Sequence, residues 1–155
     1  MKVLLPVDGT ELSLHEVRFA LRLVQDGLQA SFLLVNVQEP SSLYEIVTWP
    51  DPDVRAQGTR AAGDDALQPA VRLLRAAGVE CETEVVSGDP AHTLVDLIEE
   101  HGCELVILGT RATGSFLNLL QGSVAQSLLH ESPVPVLLVK PPQDDGPPPD
   151  EASEV

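Results

Sequence analysis

Aromatic side chains are scarce in this sequence: its 155 residues include three Phe, one Tyr and one Trp. Any core must therefore be built from Val, Leu, Ile and Ala, as in a parallel sheet buried under helices. Basic residues are also few, nine Lys and Arg against 24 Asp and Glu, for a formal net charge of −15. Such a surface excludes a nucleic-acid binder, which has to displace counterions from phosphates with Lys and Arg. It also disfavours docking on anionic membranes. Part of the acidity is local: Asp144, Asp145, Asp150, Glu151 and Glu154 follow Lys140 with no basic residue among them. The rest of the chain keeps about −10, which favours solubility and says little about fold.

Only two cysteines occur, Cys81 and Cys103, with no CxxC or metal-ligand spacing. They read as ordinary thiols of a reducing compartment. His15, His92, His101 and His130 lie on separate elements and share no ligand spacing, so no metal site is assigned. Glu99-Glu100 and Asp64-Asp65 read as solvated helix faces. No apolar run approaches the ~20 residues of a membrane span. The chain enters directly into a strand-like Met1-Lys2-Val3-Leu4-Leu5 without an apolar leader, so a cytoplasmic protein is expected.

Short β-rich runs alternate with amphipathic stretches. Val3 to Val7 reads as a buried strand, and Leu14, Val17, Leu21 and Val24 then recur at helical spacing up to Gly27. Ser31 to Val37 is a second strand. Glu39 to roughly Arg55 is a long connection carrying Tyr44 and Trp49, expected to pack on its own domain rather than to form a lid or an interface anchor. A helix follows and ends at Gly78, with Pro69 marking a kink or the first turn of its second half. Val79 to Val86 alternates like a half-exposed edge strand. Asp89 and Pro90 suit the N-cap and first position of the next helix. Leu105 to Leu108 is apolar enough for a central strand, and Val134 to Val139 is the last one, with a helix around Val124, Leu128 and Leu129 between them. Residues 141–155, rich in Pro and acid, read as a disordered tail.

This order implies right-handed crossovers and one five-stranded parallel sheet covered on both faces: a Rossmann-like, three-layer α/β/α fold. Ligands in such folds sit beyond the carboxyl ends of the strands, so the loops after strands one, two and four carry the information. After strand four come Gly109-Thr110-Arg111-Ala112-Thr113-Gly114-Ser115 and then Gln121-Gly122-Ser123-Val124. Glycines let backbone approach a ligand closely. A helix beginning near Gly122-Ser123 would aim free amides at an anion, and the Ser123 hydroxyl would add a hydrogen bond. Asp8 would face the same crevice and accept from a ribose hydroxyl. Taken singly, Gly122-Ser123 is an ordinary helix entry and Asp8-Gly9 an ordinary turn. Neither a Walker A motif nor the GxGxxG dinucleotide fingerprint occurs.

The opening Val7-Asp8-Gly9-Thr10, Asn36-Val37, Ser87-Gly88-Asp89-Pro90, the loop after strand four and the closing Ser132 to Val139 together resemble the universal stress protein family. The resemblance spans residues 1–140. In that family's ATP-binding branch the strand-four loop runs Gly, two residues, Gly, nine residues, Gly, then Ser or Thr. Gly109 and Gly122-Ser123 keep this spacing, whereas Ala112 replaces the second glycine. The resemblance implies that Leu108, Gly109, Arg111, Ala112, Gly122, Ser123 and Val124 line the phosphates and ribose. Pro6, Val7 and Asp8 would lie beside ribose and adenine, with Val37 meeting adenine through its backbone. If position 112 needs positive φ, the alanine methyl costs on the order of 1 kcal/mol, about tenfold in affinity.

With Arg111 and Lys140 as the nearest cations, bound ATP would bring Mg²⁺ with it. The resemblance further implies a homodimer pairing Val134 to Val139 across a two-fold axis, for which Pro133 and Pro135 suit an edge strand. The expected function is a regulatory, ATP- or AMP-binding protein of stress response, acting on an unidentified client with little or no turnover. The alternatives are a dimeric protein-interaction module of the same fold that takes no nucleotide, and a slow ATPase in which Asp8 or Ser123 orients water.

Overall fold

The computed structural model describes residues 1–110 and 123–141, of Ser123 the backbone alone. Five parallel strands form one sheet: β1 (Lys2–Pro6), β2 (Ser31–Gln38), β3 (Cys81–Ser87), β4 (Leu105–Gly109) and β5 (Val136–Val139). Their spatial order is β3-β2-β1-β4-β5. The helices among the described residues are α1 (Glu11–Gln25), α2 (Leu43–Thr48), α3 (Pro52–Ala76), α4 (Pro90–His101) and α5 (Ser123–Glu131).

The two-residue period of the strands divides the core. Val3, Leu5, Phe32 and Leu34 pack with Val17 and Ala20 of α1 and Leu67, Ala70, Val71 and Leu74 of α3. Leu4, Leu33 and Val35 point the other way, against Leu94, Leu97 and Ile98 of α4 and Ala125 and Leu128 of α5. Both faces of β1 and β2 are buried, and this accounts for their unbroken apolar sequences.

Asp89 accepts from the His92 N–H and Pro90 takes the first helical position, so α4 begins where the sequence places it. Its C-cap is Gly102 at φ 63°, a backbone state that glycine adopts without strain.

Four readings of the sequence need correction. The segment after β2 contains a helix, α2, whose capping box joins Ser42 and Glu45. That helix buries none of its residues; Tyr44 is 77 % and Trp49 58 % exposed, so neither aromatic packs on its own domain. Local capping rather than core burial holds this turn and a half. Next, α3 runs through Pro69 as one helix, so Pro69 does not open a separate second half. A proline inside a helix costs about 3 kcal/mol. Burying Leu67 and Leu74 on either side of it offsets that cost, at roughly 1.5–3 kcal/mol each. Third, β3 starts at Cys81 rather than Val79, and Thr83 is exposed; its edge position is as read. Finally, β5 starts at Val136. Ser132 and Val134 form a side-chain turn just before it, the Ser132 Oγ–H donating to the Val134 carbonyl at 2.7 Å.

Candidate functional site

The strand order reverses direction between β1 and β4, and a crevice opens beyond the carboxyl ends of strands at such a point. A cavity of about 460 Å³ lies there. Its walls come from Pro6 at the end of β1, Val7 and Asp8 just after it, Asn36 and Val37 of β2, Leu108 and Gly109 of β4, and Val124 and Ala125 of α5. The volume falls in the range of small-molecule sites, roughly 300–1,000 Å³.

Each wall has a local cause. Asp8 Oδ1 accepts from both the Thr10 N–H (2.9 Å) and the Thr10 hydroxyl (2.6 Å), and Thr10 in turn caps α1 through the Ser13 N–H. Gly9 turns the chain at φ 83° within reach of Ala66 on α3. The end of β1 is pinned from the side by Asn36, which is buried and donates through Nδ2 to the Val7 carbonyl at 2.8 Å. Gln38 Nε2 donates to Asn36 Oδ1, which fixes that amide.

The most unusual group is Glu16. It is only 2 % exposed, on the face of α1 that also buries Ser13, Val17 and Ala20. Oε2 accepts the Gly109 N–H at 2.6 Å, while Oε1 is buried with no hydrogen-bond partner among the described residues. Burial pushes its pKa up to about 9; the Gly109 N–H opposes the rise and the negative charge of Asp8 adds to it. Glu16 is therefore a neutral acid at physiological pH. A β-carbon on Gly109 would lie 2.8 Å from Glu16 Oε2 and 3.4 Å from Leu12 Cγ, so a side chain at this position would push on the Glu16 carboxyl.

The universal stress protein family model matches residues 1–140. The chain belongs to the universal stress protein family. Universal stress protein YxiE of Bacillus subtilis is 28 % identical over 147 residues, covering 90 % of this chain and 98 % of that one. A universal stress protein family protein of Arabidopsis thaliana, solved with AMP bound, shares the fold at a TM-score of 0.69 and 19 % identity, covering 98 % of both chains. Another universal stress protein, solved in complex with cAMP, gives a TM-score of 0.63 at 23 % identity over 90 % of this chain and 96 % of that one.

In this universal stress protein, Pro6, Val7, Asp8, Val37, Leu108, Gly109 and Val124 meet around this cavity. Arg111, Ala112 and Gly122, the Ser123 side chain and residues 142–155 lie outside the described residues. One residue of the site escapes a reading for motifs: Glu16, whose signal was a carboxylate on the buried stripe Ser13-Val17-Ala20 of α1. Asn36 belongs to the Asn36-Val37 piece of the resemblance, but its hold on the Val7 carbonyl was not read from it. Among the described residues no cluster of three or more His, Cys, Asp or Glu could hold a metal, and no helix is long and apolar enough to cross a membrane.

Proposed function

We propose that this universal stress protein is a regulatory homodimer that binds an adenine nucleotide, ATP or AMP, in the cavity between β1, β2 and β4. The observation that carries the reading is the placement of that cavity at the switch point of the sheet, with Pro6, Val7, Asp8, Val37, Leu108, Gly109 and Val124 on its wall. The retained spacing from Gly109 to Gly122-Ser123 supports it, as do the AMP- and cAMP-bound relatives. Pro6, Val7, Asp8 and Val37 then flank ribose and adenine. Gly109, Arg111, Ala112, Gly122, Ser123 and Val124 receive the phosphates, with Leu108 beside them.

The cavity wall has the carboxylates of Asp8 and Glu39 and no Lys or Arg among its described residues. A triphosphate there needs a hard divalent cation, Mg²⁺, to offset its charge, and oxygen donors are the ligands such a cation takes. The domain is residues 1–140, followed by an acidic tail, and the protein works in the cytoplasm on a client protein. The edge position of β5 leaves one side of that strand available for a two-fold partner.

A second reading is favoured by the same acidic wall together with Ala112: a dimeric interaction module that takes no nucleotide. Mass spectrometry of small molecules released from freshly purified protein separates the two. An adenine nucleotide near one per chain supports the first reading. Protein that carries none, and gains no binding in Ala112→Gly, supports the second.

A further inference from the structure

Glu16 has a hydrogen-bonding capacity that the fold does not use. A neutral carboxyl offers one O–H to donate. Oε2 is occupied by the Gly109 N–H, and Oε1 is buried with no partner among the described residues. Leaving such a group unmatched costs about 1–3 kcal/mol. Fold stability alone would favour an apolar residue here, as at Val17 and Ala20 on the same face. The carboxyl belongs to the wall of the cavity, next to Asp8 and to the first glycine of the strand-four loop.

We infer that Glu16 is a ligand-recognition residue of this cavity, donating its carboxyl O–H to a phosphate oxygen of the bound nucleotide. The inference rests on the nucleotide reading above and specifies what the site asks of its ligand. The terminal torsion of a glutamate is broad and two-fold, so the carboxyl can turn its O–H toward the cavity and still accept from Gly109. An ionised Glu16 would instead place a second negative charge beside Asp8 in the path of an anion. Nucleotide binding is therefore linked to retention of a proton.

Among the described residues, the charged groups on the elements around Glu16 are few. Asp8, after β1, is the charge that acts on it directly. Glu39, after β2, shares the cavity wall. On α1 itself, Glu11 and Arg18 are exposed and pair with each other at 3.7 Å. On α3, packed against α1, Asp64 and Asp65 are exposed. β4 contributes only the Gly109 N–H. At the end of β5, His15 Nε2 sits 3.1 Å from the Lys140 carbonyl, and the Lys140 side chain is exposed.

The test is titration calorimetry of Mg·ATP into the full chain between pH 7 and pH 10, in buffers of different ionisation enthalpy. Wild-type protein should bind about five- to tenfold more weakly at pH 10 than at pH 7, and should take up about half a proton per nucleotide at pH 9. Glu16→Gln cannot ionise, and its profile should lose that drop and that uptake. Glu16→Leu, which keeps the volume but offers no donor, should weaken binding at pH 7 about tenfold. Saturable binding with superimposable wild-type and Glu16→Gln profiles would overturn the role of Glu16 and leave the nucleotide reading standing. No saturable binding by any of the three proteins at any pH would overturn both.

Discussion

Glu16 Oε2 and the Gly109 N–H meet at 2.6 Å, which ties the first helix to the end of the fourth strand across 93 positions of sequence. The carboxyl in this bond is buried and protonated, and several measurable properties follow from that state.

Stability should depend on pH through Glu16. Its folded pKa, about 9, lies above the ordinary carboxyl value of 4.5. The folded chain holds this proton where the unfolded chain has released it. Its contribution is thus fully present below pH 4.5 and is lost as pH rises toward 9. Glu16→Gln should be more stable than wild type by about 3 kcal/mol at pH 7, with the difference vanishing near pH 4. Urea unfolding of both proteins at several pH values checks this. A difference independent of pH would show that the carboxyl is not held neutral.

Gly109 and Glu16 should be coupled in stability. In Gly109→Ala, the new methyl would press on Glu16 Oε2 and Leu12. Overpacking of that kind costs about 1–3 kcal/mol. In the double variant with Glu16→Ala one of the two obstructions is gone, so the alanine at 109 should cost less. A double-mutant cycle should give a coupling energy of at least about 0.5 kcal/mol, and strict additivity would contradict the close approach.

Trp49 is the only tryptophan and is 58 % exposed on the unburied turn after β2. Its emission should resemble that of a solvated indole and be strongly quenched by acrylamide. The Arg55 guanidinium donates to the Trp49 carbonyl at 2.7 Å, so Arg55→Ala should loosen this turn and raise fluorescence depolarisation while leaving the melting temperature within error. A blue-shifted, unquenched emission would mean the indole is covered in solution.

His92 and Asp89 form an exposed pair at the start of α4, Nδ1 to Oδ2 at 2.7 Å. The hydrogen bond to Asp89 raises the His92 pKa, and the Asp89 pKa falls for the same reason. The histidine contribution is complete below its ordinary value of 6.5 and is lost as pH rises through its raised value. The aspartate contribution is present above 3.8 and is lost as pH falls through its lowered value. Asp89→Asn should therefore lower the His92 titration midpoint, as NMR of the imidazole would show.

Much of this architecture was legible in the residues because the strands bury both faces. Val3 to Leu5 and Phe32 to Val35 can satisfy two opposed cores only as central strands, and Asp89-Pro90 can start a helix on local chemistry alone. The site was legible at Gly109, where the missing side chain leaves room for a close neighbour. Glu16 was not, because a carboxylate on an apolar stripe becomes meaningful only once a distant N–H is known to meet it. The exposed turn at Leu43–Thr48 was missed for the opposite reason: a loop rich in apolar residues suggests burial, and only the Ser42–Glu45 capping box betrays a helix that stands free of the core. The late start of β5 reflects the Ser132–Val134 turn, which takes up residues that would otherwise extend the strand.

The central claim is that the cavity between β1, β2 and β4 takes an adenine nucleotide, and equilibrium binding of ATP and AMP to nucleotide-stripped protein at pH 7 tests it most directly. Saturable binding of one nucleotide per chain is the predicted result. Absence of saturation at millimolar ligand, weaker than about −4 kcal/mol, would contradict it.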